Sequence, residues 1–103
     1  MKLLYAGQMM KQKIGAVSLS GKLICASRQE VEVVRKYLPE HVRLTKAEPG
    51  CLSFEVVQTS DPLVWQVEEC FTNQEAFEHH QQRTRNSDWW KETSKIKRDY
   101  EIK

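Results

Sequence analysis

The stretch Ala47–Val57, AEPGCLSFEVV, decides the fold. An amphipathic helical pattern runs into it and stops, and a strand pattern runs out of it. Pro49-Gly50 is read as the central pair of a type II turn, in which proline fixes the first φ and glycine supplies a positive φ after it. Beyond the turn Leu52, Phe54 and Val56 alternate with Ser53 and Glu55, the pattern of a half-buried strand.

Upstream, Ser27 and Glu30 have the spacing of a capping box. Val31, Val34, Leu38, Val42 and Thr45 then recur at helical intervals, with a kink or break expected near Leu38 because Pro39 removes a backbone donor. Before that helix Val17, Leu19, Leu23 and Cys25 share one face of a strand, and Gly21 marks a bulge or a close backbone approach. Downstream, Asp61-Pro62 makes a second turn and closes a hairpin with a strand that places Leu63, Trp65, Val67, Glu69 and Phe71 on one face. Asn73 caps a helix over 74–85, Asn86 or Ser87 recaps a shorter one, and the chain ends in a strand with Ile96, Tyr100 and Ile102 on one face and Arg98 among them. The order β-α-β-β-α-β is a ferredoxin-like α+β fold with an antiparallel sheet. Its helices cover one sheet face, so a second copy of the chain is expected on the other, giving a homodimer.

With 103 residues the chain suits one domain, placed at 16–103 behind a leader of uncertain order at 1–15. A net charge of +2 gives no electrostatic reason for a nucleic-acid or membrane partner. Trp89 and Trp90 interleave with Arg83, Arg85 and Lys91 in a way that could stack bases, but the balanced charge speaks against it. Three cysteines without a C-x-x-C spacing read as reduced thiols of a cytoplasmic protein, and no apolar run is long enough to span a bilayer. Neither a metal cluster nor a nucleotide fingerprint is visible.

Two polar residues stand on apolar faces. His80 lies three after Phe77 and four after Ala76, on the stripe that should meet the sheet, while its neighbour His79 points about 100° away. Glu69 shares its strand face with Trp65, Val67 and Phe71, so its carboxylate needs a partner or a cavity; His80, Arg83 and Arg98 are the candidates. A hydrogen-bonded core histidine and a structural ion pair explain them as well as a catalytic base does.

Glu48-Pro49-Gly50-Cys51, Glu69-Cys70-Phe71 and Ala76-Phe77-Glu78-His79-His80, in this order and spacing, resemble the antibiotic biosynthesis monooxygenase family of dimeric α+β barrels. The resemblance covers roughly residues 16 to 102. It implies a cofactor-free monooxygenase acting with O2 on a quinol, an anthrone or a similar phenolic molecule. His80 and Glu69 would be catalytic, and Trp65, Phe71, Arg83, Trp89, Arg98 and Tyr100 would bind substrate. The family's second histidine is missing, with Ser87-Asp88-Trp89-Trp90 standing in its place, and heme degradation is disfavoured. An isomerase or other small-molecule-processing enzyme on the same scaffold, and a non-catalytic ligand-binding dimer, are the competing readings.

Overall fold

The computed structural model describes residues 15–103, so the expected leader lies outside the described residues except for Gly15. The elements are β1 (Val17–Ile24), α1 (Arg28–Lys46), β2 (Cys51–Gln58), β3 (Val64–Phe71), α2 (Gln74–Arg85), α3 (Asp88–Thr93) and β4 (Lys97–Ile102). They form one antiparallel sheet in the order β2-β3-β1-β4, the ferredoxin-like arrangement that the sequence pattern implies.

Each helix starts where the sequence places a cap. Ser27 Oγ accepts from the Glu30 amide, and Glu30 Oε1 accepts in turn from the Ala26 amide at 2.7 Å. Asn73 caps α2 by accepting from the Ala76 amide, and Ser87 caps α3 by accepting from the Trp90 amide. These side chains satisfy amides that the first turn leaves without helical partners. α1 runs through Pro39 without a break; the proline is exposed, where the carbonyl that it leaves unbonded reaches water.

The buried stripe of α1 is Val31, Val34, Leu38, His41 and Thr45, spaced 3-4-3-4. It packs with the inward row of β1 (Val17, Leu19, Leu23) and with Trp65, Val67 and Phe71 of β3 in one core. Val42, assigned to the stripe from the sequence, is only half-buried, and His41 takes its place.

The turn at 48–51 differs from expectation in its backbone. The Cys51 amide donates to the Glu48 carbonyl at 3.1 Å, so the turn is closed around Pro49-Gly50, but Gly50 does not adopt a positive φ. Glycine is needed there for space: a Cβ on Gly50 would overlap the Cβ of Ala76 and crowd Thr72 Oγ1 at 3.1 Å. Gly21 is likewise a close approach, since a Cβ would run into the Asp99 carbonyl and the backbone of Tyr100, its partner across β1 and β4.

β2 also departs from simple alternation. Its register against β3 shifts between Cys51 and Ser53, so the strand carries a bulge. Cys51 and Phe54 both turn inward, and Leu52, expected beside Phe54, is 60% exposed. Leu63 stands on the exposed side of the hairpin turn, just before β3 begins.

The tight seat of Gly50 against α2 is testable. Gly50→Ala should destabilise by about 1–3 kcal/mol through overpacking. Ala76→Gly costs about 1 kcal/mol alone by helix propensity. The double variant should be more stable than the sum of the single effects, measured by urea denaturation, because removing the Ala76 methyl reopens the space.

Candidate active site

Strands, helices and the 48–51 turn converge between the sheet and the helix layer. β3 presents Glu69 on the row that also holds Trp65, Val67 and Phe71, because residues two apart share a strand face. α2 lays His80 over this row, one turn after Phe77. The 48–51 turn brings Glu48 inward, α1 contributes His41 and Thr45, and α3 with β4 adds Trp89, Trp90, Arg98 and Tyr100. A partly open cavity of about 210 Å³ lies among Glu69, His80, His41, Trp89, Arg98 and Tyr100, with Leu19, Gln81, Thr84 and Trp90 completing its wall.

His80 is 2% exposed and is gripped on both ring nitrogens. Its Nδ1 lies 3.1 and 3.2 Å from the two oxygens of Glu48. Its Nε2 lies 3.6 Å from Glu69 Oε1 and 3.4 Å from Thr84 Oγ1. Phe71 packs beneath the imidazole, with ring centroids 4.8 Å apart. The carboxylate that orients His80 is therefore Glu48, a residue that the sequence reading did not place in the site. Glu48 is itself 8% exposed and ion-paired to Arg83 Nε, and Arg83 Nη2 donates to Thr45 Oγ1 at 2.8 Å.

A carboxylate has no proton to give, so Nδ1 carries the hydrogen and donates to Glu48. Nε2 is then left with its lone pair toward Glu69 and the cavity. Burial lowers the His80 pKa below its ordinary 6.5, against the opposing pull of Glu48, so the ring is neutral at pH 7.

Glu69 is pushed the other way. Burial first, then the charge of Glu48, raises its pKa to about 7, with Arg98 opposing. Its Oε1 has no hydrogen-bond partner among the described residues. Glu69 thus stands half-protonated at neutral pH beside an unprotonated imidazole nitrogen. This is a proton-accepting pair held in a water-poor space.

The rest of the cavity is fixed. Arg98 donates through Nη1 to the carbonyls of Thr93 and Ile96 and through Nη2 to Thr93 Oγ1, and its guanidinium lies 5.0 Å from the Trp90 ring centroid. Burial raises the Tyr100 pKa to about 12, so the phenol keeps its proton. His41 stacks on Trp89, with centroids 5.0 Å apart and planes 8° from parallel, and meets Phe54 edge-on at 5.4 Å. Burial, and then the charges of His80, Arg83 and Arg98, lower its pKa to about 3.

Of the residues singled out from sequence, His80, Glu69, Trp89, Arg98 and Tyr100 meet at the cavity. Phe71 lies under His80 outside the lining, Arg83 reaches the site only through Glu48, and Trp65 packs in the core toward Cys25. Glu48 and His41 were missed as site residues. The 3-4-3-4 phase of α1 could have exposed His41; for Glu48 the only signal is its place before Pro49-Gly50. Among the described residues no group of three His, Cys, Asp or Glu is arranged to hold a metal ion.

The raised pKa of Glu69 is a stability statement. Between its ordinary 4.5 and about 7 the folded chain binds more protons than the unfolded one, so stability falls as pH rises through this window. The contribution is complete below pH 4.5 and lost above 7, about 3 kcal/mol in all. His41 acts oppositely, since its stability is present above 6.5 and lost as pH falls toward 3. Glu69→Gln should therefore gain stability over the parent chain progressively from pH 5 to pH 8. Thermal midpoints of the pair, compared across that range, check it, and the comparison cancels the His41 term.

The comparisons with known proteins agree with this architecture. The family model described as antibiotic biosynthesis monooxygenase matches residues 26–92. The chain is similar in structure to Rv0793 of Mycobacterium tuberculosis, with 16% identity and a TM-score of 0.71 over 85% of this chain and 92% of that one. It is similar to a Nitrosomonas europaea protein provisionally named an antibiotic biosynthesis monooxygenase, with 16% identity and a TM-score of 0.73 over 89% and 90%. MupZ of Pseudomonas fluorescens gives 16% identity and a TM-score of 0.71 over 97% and 73%. At such identities these likenesses speak for the fold alone. A search of curated proteins finds no match. The family model spans well over half of the chain and includes the turn that carries Glu48, the strand that carries Glu69 and the helix that carries His80; the chain belongs to the antibiotic biosynthesis monooxygenase family.

Proposed function

We propose that the chain is a cofactor-independent monooxygenase that oxidises a quinol or similar phenolic small molecule with O2. The observation that carries the reading is the geometry of buried His80, whose Nδ1 is held by Glu48 and whose Nε2 lies 3.6 Å from Glu69 at the cavity. Family membership supplies the reaction type.

His80 Nε2 takes the proton of a substrate hydroxyl, and the anion becomes electron-rich enough to react with O2 directly. One oxygen atom enters the ring and the other leaves as water, so a quinol and O2 become a hydroxyquinone and water. The substrate supplies all the electrons. Arg98 places positive charge beside the developing anion, Tyr100 keeps a hydroxyl for hydrogen bonding, and Trp89 gives an aromatic wall. Exclusion of bulk water shields the reactive intermediate.

The size of the cavity narrows the substrate. About 210 Å³ is somewhat more than the ~150 Å³ that takes a benzene ring, so one substituted ring would be held within the cavity whereas a three-ring anthrone would project from its mouth. A non-catalytic binder would need no free base facing an open cavity, and the presence of both weighs against that alternative. Neither nucleic acid nor a membrane enters this reading, and among the described residues no helix is long and apolar enough to cross a membrane.

We place the homodimer contact on the outer sheet face. There Ser20 and Gln66 hydrogen-bond Glu68, and Val57 is exposed. The polar groups would make such a contact wet. The three free cysteines, Cys25, Cys51 and Cys70, suit a reducing compartment such as the cytoplasm.

Oxygen uptake tests the reading. One-ring quinols should be consumed faster than anthrone, and His80→Ala should lose about 10²-fold or more of the rate. Activity should persist below pH 6.5 and fall only as His80, with its lowered pKa, becomes protonated. Full activity of His80→Ala would refute the assignment of the base.

A further inference from the structure

His80 sits between two openings. Its Nε2 faces the cavity with Glu69, while its Nδ1 meets Glu48. Glu48 also lines a separate hollow of about 410 Å³ with Thr72, Asn73, Glu75 and His79, open to solvent at the start of α2. The two spaces lie on different flanks of that helix. Glu75, Ala76 and His79 border the hollow, whereas His80, Gln81 and Thr84 border the cavity; the centres of the two sets lie more than ~90° apart around the helix, with Ala76 and His80 neighbours at the boundary. Glu48 Oε2 is taken by Arg83, which leaves Oε1, at 3.1 Å from Nδ1, as the free acceptor.

Resting on the proposed role of His80 as base, we infer that Glu48 is a proton relay joining the cavity to solvent through this second opening. When a substrate O–H breaks, an N–H forms on Nε2 and the ring becomes an imidazolium. Its Nδ1–H bond then breaks, and an O–H bond forms on Glu48 Oε1. Glu48 releases that proton to water in the hollow, leaving His80 neutral with its hydrogen on Nε2. A proton returning by the same route regenerates the imidazolium, which donates from Nε2 to the oxygen that leaves as water, and the starting tautomer is restored. No proton is gained or lost over the cycle. Arg83 holds the Glu48 carboxylate in place through Oε2, so that Oε1 stays aimed at Nδ1. The cavity can thereby exchange protons while a bound substrate occupies its mouth.

Glu48 acts through His80 and is a positioning residue, so the test must separate proton traffic from fold and base strength. The full chain would be mixed with 4-nitrophenol in weak buffer containing a pH indicator. One absorbance band follows the phenolate, and the indicator follows release of the proton to bulk. In the native chain both signals should rise together. Glu48→Gln should slow release about tenfold or more relative to phenolate formation, and Glu48→Asp should restore part of it. His79→Trp, which caps the hollow from an exposed position, should leave phenolate formation unchanged and delay release. Release in step with phenolate in both Glu48→Gln and His79→Trp overturns the relay alone. Absence of phenolate in the native chain overturns the base assignment and the relay with it.

Discussion

The carboxylate of Glu48 is the group on which the site depends. It arrives from a tight turn, is almost wholly buried, and divides its oxygens between the imidazole of α2 and the guanidinium of Arg83. A buried carboxylate is costly unless paired, and breaking such a pair by removing one partner typically costs about 3–5 kcal/mol. The pairing therefore fixes three things together. It ties the 48–51 turn to α2, and it sets the tautomer of His80 and the sign of the charge next to Glu69. The raised pKa of Glu69 follows in part from that same charge.

Around this anchor the fold is built to allow close approach. Gly50 lets the 48–51 turn press against Ala76, which brings Glu48 within reach of a residue one turn further along α2. Gly21 lets β4 lie hard against β1, which carries Arg98 and Tyr100 toward the cavity. Two glycines thus help to set the position of four polar side chains, Glu48, His80, Arg98 and Tyr100. The bulge in β2 serves the same end, turning Phe54 inward to meet His41 and His80 at the expense of exposing Leu52.

Much of this was legible in the residues. Caps at Ser27, Asn73 and Ser87, the alternation of β1 and β3, and the two turns fix the element order because each is a local signal. His80 and Glu69 stood out as polar groups on apolar faces, and they do meet. What stayed hidden depends on contacts remote in sequence. The bulge that reverses Leu52 is a property of pairing with β3 and leaves no mark on the alternation of β2 itself. Glu48 looked like part of a turn because nothing local says that a turn residue will be buried 32 positions from its partner. The reason for Gly50 lies in Ala76, so its backbone was misread as left-handed. Trp65 was placed with the site because it shares a strand face with Glu69, but four residues of strand separate them by about 13 Å, and it packs in the core instead.

The account rests on the protonation of a single ring. The most direct measurement is the ¹⁵N spectrum of His80 in the ligand-free chain across pH 5 to 8, assigned by comparison with His80→Gln. The structure requires a neutral imidazole at pH 7 with its hydrogen on Nδ1, bonded to Glu48, and an unprotonated Nε2. A proton on Nε2, or an imidazolium persisting above pH 7, would contradict it, because the cavity would then hold no base.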